Sequence, residues 1–180
     1  MAEAARRIPP LEGRSFEGQG IALLPAPPAS RLSLRAPESS RPALSKALGL
    51  DLPAKPKSTA ANGARAALWL GPDEWLVTDE TGADLPSVCA TVTALHSAVD
   101  ISHRNVGILV SGARAEDVLN AGCPQDLSLA RFPVGAASRT VLGKVEIVLW
   151  RTGAEAFRVE CWRSFSDYVF SLLEAAAREN

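Results

Sequence analysis

At 180 residues, with 47% hydrophobic and 22% charged side chains, the chain has the make-up of a globular protein with one domain or two small lobes. The formal net charge is -1 and the 19 basic residues are dispersed, which argues against a nucleic-acid or anionic-membrane surface. No apolar run approaches the length of a transmembrane helix.

The N-terminal "MAEAARRIPP" lacks the apolar core of a secretory signal. Residues 1–30 are dense in Pro and Gly without an apolar period, which predicts a flexible tail. After it, "RLSLR" alternates as a strand. A helix follows, with Leu44, Ala47 and Leu48 on one face, Pro42 in its first turn and Gly49 as its stop. "LPAKPKSTAANG" is assigned to a loop. "RAALWLGPDEWLVT" predicts a hairpin turning at Pro72 and Asp73. A second helix is expected to carry Leu85, Val88, Val92 and Leu95 on one stripe, with Asp84 as N-cap.

The second half opens on "VDISHRNVGILVSG", in which Asp100, Ser102, His103, Arg104 and Asn105 crowd together. If residues 99–104 are extended, Ser102 and His103 point to opposite faces and cannot serve as nucleophile and base. His103 then lies with Val99 and Ile101 on the apolar side. "NVGILVSG" is a strand, and "ARAEDVLNAG" a helix with Val118 and Leu119 inward and Gly122 as its stop. "SRTVLGKVEIVLW" predicts a hairpin around Gly143-Lys144, and "EAFRVECW" a further strand. The final helix is the clearest element, with Phe165, Tyr168, Val169, Leu172, Leu173 and Ala176 at helical spacing and Ser164 and Asp167 as a capping box. Each half thus runs strand, helix, loop, hairpin, helix, with one extra strand in the second. The predicted architecture is α+β: a flexible tail over 1–30, then a single domain over 31–180 made of two related lobes, about 31–97 and 98–180, with antiparallel or mixed sheets.

Few residues point to chemistry. Cys89, Cys123 and Cys161 are far apart and odd in number, which fits buried free thiols in a reducing cytoplasm. His96 and His103, seven residues apart and without a C-x-x-C, do not make a metal site. Trp69, Trp75, Trp150 and Trp162 are expected to pack in the core with their indole N–H groups bonded at an edge. Arg151 and Arg163 end strands and are expected on a solvated or interface surface. The glycine of "GARAED" lacks dinucleotide-loop spacing. Asp126 is a lone loop carboxylate suited to a turn.

Four stretches carry a family resemblance: "LGPDEWLV", "DISHRNVGILVSGARAEDVLNAGCPQDLS", "FPVGAASRTVLGKVEIVLWRTG" and "FRVECWRSFSDYVFSLL". Together they span about residues 65–175 and resemble the gamma-subunit family of bacterial heterotetrameric sarcosine oxidases. The resemblance implies a complex that oxidatively demethylates sarcosine to glycine, with hydrogen peroxide and 5,10-methylenetetrahydrofolate as products. It implies alpha and beta partner subunits holding FAD, FMN, NAD and tetrahydrofolate, and a delta subunit holding zinc. This chain is then a non-catalytic, stabilising subunit without a cofactor, catalytic residue or metal ligand of its own. "DISH", "VSG", a helix and then an Asp are also similar to the tetrahydrofolate-binding aminomethyltransferase family. By that likeness Asp126 matches an Asp important for folate chemistry, and is the one candidate cofactor-binding residue. The stretch "LSLARFPVGAASRT" departs from the folate family's pattern and no second pterin-clamping acid is present, so "DISHRN" is expected to be scaffold. The alternative is an independent tetrahydrofolate-binding module or transferase.

Overall fold

The computed structural model describes residues 9–179. Its first elements fall inside the expected tail. β1 (Phe16–Gly18) and β2 (Ile21–Pro25) form a hairpin, with Ile21 and Leu23 buried. Leu11 is buried as well. The flexible-tail expectation is therefore corrected for residues 9–30, while residues 1–8 lie outside the described residues. Five residues with two inward side chains are enough for a strand when a neighbouring strand supplies the ladder. The flanking Pro and Gly hid that short alternation.

The first lobe begins with β3 (Ser30–Arg35) and α1 (Arg41–Leu48). Helix α1 has Pro in its first turn and ends on Gly49 at φ 70°, the left-handed stop that its sequence announces. The expected loop over 52–63 contains β4 (Thr59–Asn62), which turns through Gly63 into β5 (Arg65–Gly71). Its Ala-rich wording has little strand propensity; Asn62-Gly63 was the hairpin signal. β5 and β6 (Glu74–Asp79) form the expected hairpin at Pro72-Asp73. α2 (Leu85–Ala90) is capped by Asp84, whose carboxylate accepts the Ser87 N–H at 3.2 Å. It stops short of its expected length. Thr91, Val92 and Thr93 are β-branched, and the Thr91 hydroxyl donates to the Val88 carbonyl at 2.8 Å. Leu95 is consequently 78% exposed, in the link to β7 (Ser97–Asp100).

The second lobe adds β8 (Asn105–Ser111), α3 (Ala115–Asn120), β9 (Ala137–Leu142), β10 (Val145–Gly153), β11 (Ala156–Trp162) and α4 (Ser166–Glu179). Gly122 does not adopt a left-handed stop after α3. A Cβ there would stand 3.1 Å from Leu142, so it serves close packing. The buried face of α4 comprises Val169, Phe170, Leu173, Ala176 and Ala177. The expected stripe is thus rotated: Phe165 and Tyr168 face outward and Leu172 is only partly buried.

All strand pairs are antiparallel. One sheet has the order β4-β5-β6-β3-β7, the other β9-β10-β11-β8-β2-β1. Element by element the two agree. α1 follows β3 as α3 follows β8, and each lobe closes its three-strand meander with a helix. The place beside β8 that matches β7 beside β3 is filled by β2 from the N-terminus. The second lobe is therefore assembled from two separate stretches of chain, which corrects its expected start at residue 98. Helices α1 and α2 cover one sheet around Leu34, Leu44, Trp75 and Leu85. Helices α3 and α4 cover the other around Leu23, Ile108, Leu149, Phe157 and Phe170. The remaining faces meet each other through Leu68, Leu76, Ile101, Ala137 and Val148. The layers run helix, sheet, sheet, helix.

Leu173, 1% exposed on α4, reports on the outer helix layer. Leu173→Ala is expected to destabilise the protein by about 2–5 kcal/mol in denaturant unfolding, with a smaller loss for the half-buried Leu172→Ala.

Candidate functional site

The segment that suggested chemistry lies where the lobes join. β7 ends at Asp100, Ile101 turns inward, and residues 102–104 form a turn into β8. The Asp100 carboxylate accepts both the Ser102 backbone N–H at 2.8 Å and the Ser102 hydroxyl at 2.5 Å. Those bonds hold the Asp100 carboxyl below the usual carboxylate range. The Ser102 hydroxyl oxygen in turn accepts the Arg31 N–H at 2.8 Å. The extended stretch expected over 99–104 therefore stops at Asp100, and Ser102 and His103 lie in a turn. His103 is exposed rather than set among apolar neighbours. Ser102 remains without a base: its hydroxyl is committed to Asp100 and to β3.

Behind this turn lies a charged cluster between the sheets. Arg31 of β3 donates to both Glu160 oxygens, at 2.6 and 3.2 Å. Arg158, beside Glu160 on β11, donates to one of them at 2.8 Å and to Glu80 at 2.5 Å. Arg31, Arg158 and Glu160 are all buried. Gly107 of β8 makes room, since a Cβ there would stand 2.8 Å from a Glu160 oxygen and 2.8 Å from Ala26. A cleft of about 780 Å³ opens over this cluster. Its walls are the Pro9–Arg14 segment, the Pro25–Ala29 segment and the Asp100–Gly107 turn and strand start. Its volume suits a small ligand or a peptide segment, and Arg31, Asp100 and Ser102 in its wall are already engaged by hydrogen bonds. It offers recognition, not a nucleophile with a base.

The remaining sequence-predicted residues are dispersed. Asp126 is exposed, does not line this cleft, and accepts the Ser128 N–H at 3.0 Å; hydrogen bonding from the Ser128 side chain, then its backbone, holds the carboxyl below its usual range. Arg151 is not on the surface. It is buried, stacks 4.5 Å over Phe157, and donates to the Leu127 and Phe132 carbonyls at 2.9 and 2.8 Å and to Glu116 at 3.0 Å. It pins the loop that carries Asp126. Sequence reasoning missed this role because its carbonyl partners are brought in by the fold. Arg163 is exposed, as expected.

Trp75 is buried and donates to the Pro53 carbonyl at 2.7 Å, as expected for an edge-bonded indole. The indole N–H groups of Trp69 and Trp150 are buried without a protein acceptor, which corrects that expectation for both. Trp162 is 43% exposed. All three cysteines are free and buried, and burial pushes the Cys161 thiol up to about 12. Among the described residues no group of three or more His, Cys, Asp or Glu side chains is placed to hold a metal ion.

This double-lobed sandwich is a fold shared with an aminomethyltransferase. Glycine cleavage aminomethyltransferase T from Bartonella henselae aligns with a TM-score of 0.66 at 14% identity, over 89% of this chain and 49% of that one, a likeness of fold alone. The chain itself belongs to the sarcosine oxidase, gamma subunit family, whose model matches residues 36–179. It is 34% identical over 140 residues to sarcosine oxidase subunit gamma of Corynebacterium sp. (strain P-1), covering 76% of this chain and 69% of the relative. Its identity with the same subunit of Corynebacterium sp. (strain U-96) is 32% over 155 residues, covering 83% and 76%. A chain of heterotetrameric sarcosine oxidase from Corynebacterium sp. U-96, in complex with pyrrole 2-carboxylate, matches with a TM-score of 0.88 at 30% identity, over 96% of this chain and 95% of that one. The α+β fold class and the family drawn from the four sequence stretches are both borne out. No helix among the described residues is long and apolar enough to cross a membrane.

Glu160 supplies a carboxylate shared by two buried guanidinium groups. Glu160→Gln keeps the shape but removes the charge. It is expected to cost about 3–5 kcal/mol in denaturant unfolding. An unchanged unfolding midpoint would mean that the cluster does not hold the sheets together.

Proposed function

We propose that this chain is the gamma subunit of a cytoplasmic heterotetrameric sarcosine oxidase, and that it serves by contact rather than by chemistry. The observation that carries the reading is the match, over 96% of its length, to a chain of an assembled heterotetramer. Demethylating an N-methyl amine by oxidation removes a hydride, and no ordinary side chain accepts one. FAD, FMN and NAD are accordingly assigned to the alpha and beta subunits, tetrahydrofolate to the alpha subunit, and zinc to the delta subunit. Flavin and nicotinamide cofactors carry phosphates that glycine-rich helix N-termini hold, and the glycine before α3 lacks that spacing. This chain contributes a rigid double sandwich on which larger subunits rest.

The competing reading, an independent tetrahydrofolate-binding module, would need Asp126 in a pocket wall, and it stands exposed in a turn. Co-expression with the large subunits followed by affinity purification on one of them tests the proposal. The expected result is one copy of this chain per alpha subunit, and a higher melting temperature for it in the complex than alone. Purification of the large subunits without it would overturn the reading, as would stoichiometric tetrahydrofolate binding by the isolated chain.

A further inference from the structure

Outside the cleft, the most exposed aromatic surface lies where β11 runs into α4. Trp162, Phe165 and Tyr168 are 43%, 44% and 43% exposed, and the Trp162 and Phe165 rings lie 6.3 Å apart. Two large aromatics paired on a surface, as Trp162 and Phe165 are, mark an interaction site. Arg104, from the turn after β7, stacks over Trp162 with its guanidinium carbon 5.0 Å from the ring centroid. Its side chain donates to Asn105 Oδ1 at 3.2 Å, and no carboxylate among the described residues lies within ion-pair reach of it. The acids nearby are already engaged. Asp167 pairs with Arg14 at 3.3 Å, Asp100 is held by Ser102, and Glu12 has an interaction of its own. The rim therefore presents an uncompensated positive charge set on an aromatic face.

This surface is continuous with the cleft. A groove of about 580 Å³ beside Trp162 shares Pro10 and Arg163 with the 780 Å³ cleft. Pro25, Pro27 and Pro28 in the cleft wall present ring carbons and no backbone N–H. Whatever lies there packs by side chains rather than by adding a strand.

Resting on the subunit reading above, we infer that this groove is the docking site for one extended, proline- or aliphatic-rich segment of a larger sarcosine oxidase subunit. A carboxylate of that segment faces Arg104, an apolar side chain covers Trp162, and the chain continues into the proline-walled cleft. The charge sign selects the partner segment: an acidic side chain completes Arg104, and a basic one is repelled. Arginine on tryptophan is also the pairing in which interface energy concentrates.

The test uses the co-expressed complex with four versions of this chain: wild type, Arg104→Glu, Trp162→Ala, and Lys46→Glu on the exposed side of α1 as a remote charge reversal. Circular dichroism and thermal melting of each purified chain confirm folding. The expected result is that wild type and Lys46→Glu co-purify equally, while Arg104→Glu and Trp162→Ala are recovered at least about tenfold less. Equal recovery of folded Arg104→Glu and wild type overturns the inference and leaves the subunit reading intact. Absence of wild type from the purified complex refutes the subunit reading itself. A wild-type homodimer that Arg104→Glu dissociates also overturns the inference, because the occupant is then a second copy.

Discussion

The buried contact of Arg31 and Arg158 with Glu160 is the constraint on which the rest of the arrangement depends. It places three buried charged side chains between two sheets whose facing apolar cluster is built on Ala66, Leu68, Leu76, Ile101, Ala137 and Val148. Charges taken out of water are tolerated only when paired and hydrogen-bonded, so the sheets can stack in few registers without orphaning one of them. Arg31 belongs to one lobe and Glu160 to the other, and Glu80 extends the chain of pairs back to the first. Gly107 gives the carboxylate its space, since any side chain there would collide with it. The backbone on either side is tied to the same place. The Arg31 N–H donates to Ser102, and the Arg31 carbonyl accepts the Ile101 N–H at 2.9 Å. The turn that suggested an active site is thus the clasp between two halves of a repeat.

Much of this was legible because local chemistry and global fold agree. Gly49, Asp84, Pro72 and Gly143 each stand where a stop, a cap or a turn requires them, and the structure uses them there. The failures have physical causes. The strand at Ile21–Pro25 exists because β8 is there to pair with it, and no short-range pattern encodes that partner. The strand at Thr59–Asn62 is likewise held by β5. Helix α4 was assigned correctly, but its buried face is shifted by about one residue. Phe165 and Tyr168 are exposed, and Trp162 lines an outer groove. Hydrophobicity alone does not distinguish a core face from a face reserved for a partner.

The chemistry-bearing residues were legible as types but not as places. Arg151, expected at a surface, is an internal strut that holds three backbone carbonyls and a carboxylate. Asp126 stays with the loop that Arg151 anchors and is exposed. The double sandwich is closed around ion pairs, and Pro25, Pro27 and Pro28 wall its cleft.

That account is tested most directly by the purified chain alone. Its visible absorption spectrum and its oxygen consumption with sarcosine should be those of a protein without a redox centre: no flavin bands and no substrate-dependent uptake. A yellow, monomeric preparation that consumes oxygen when sarcosine is added would contradict it.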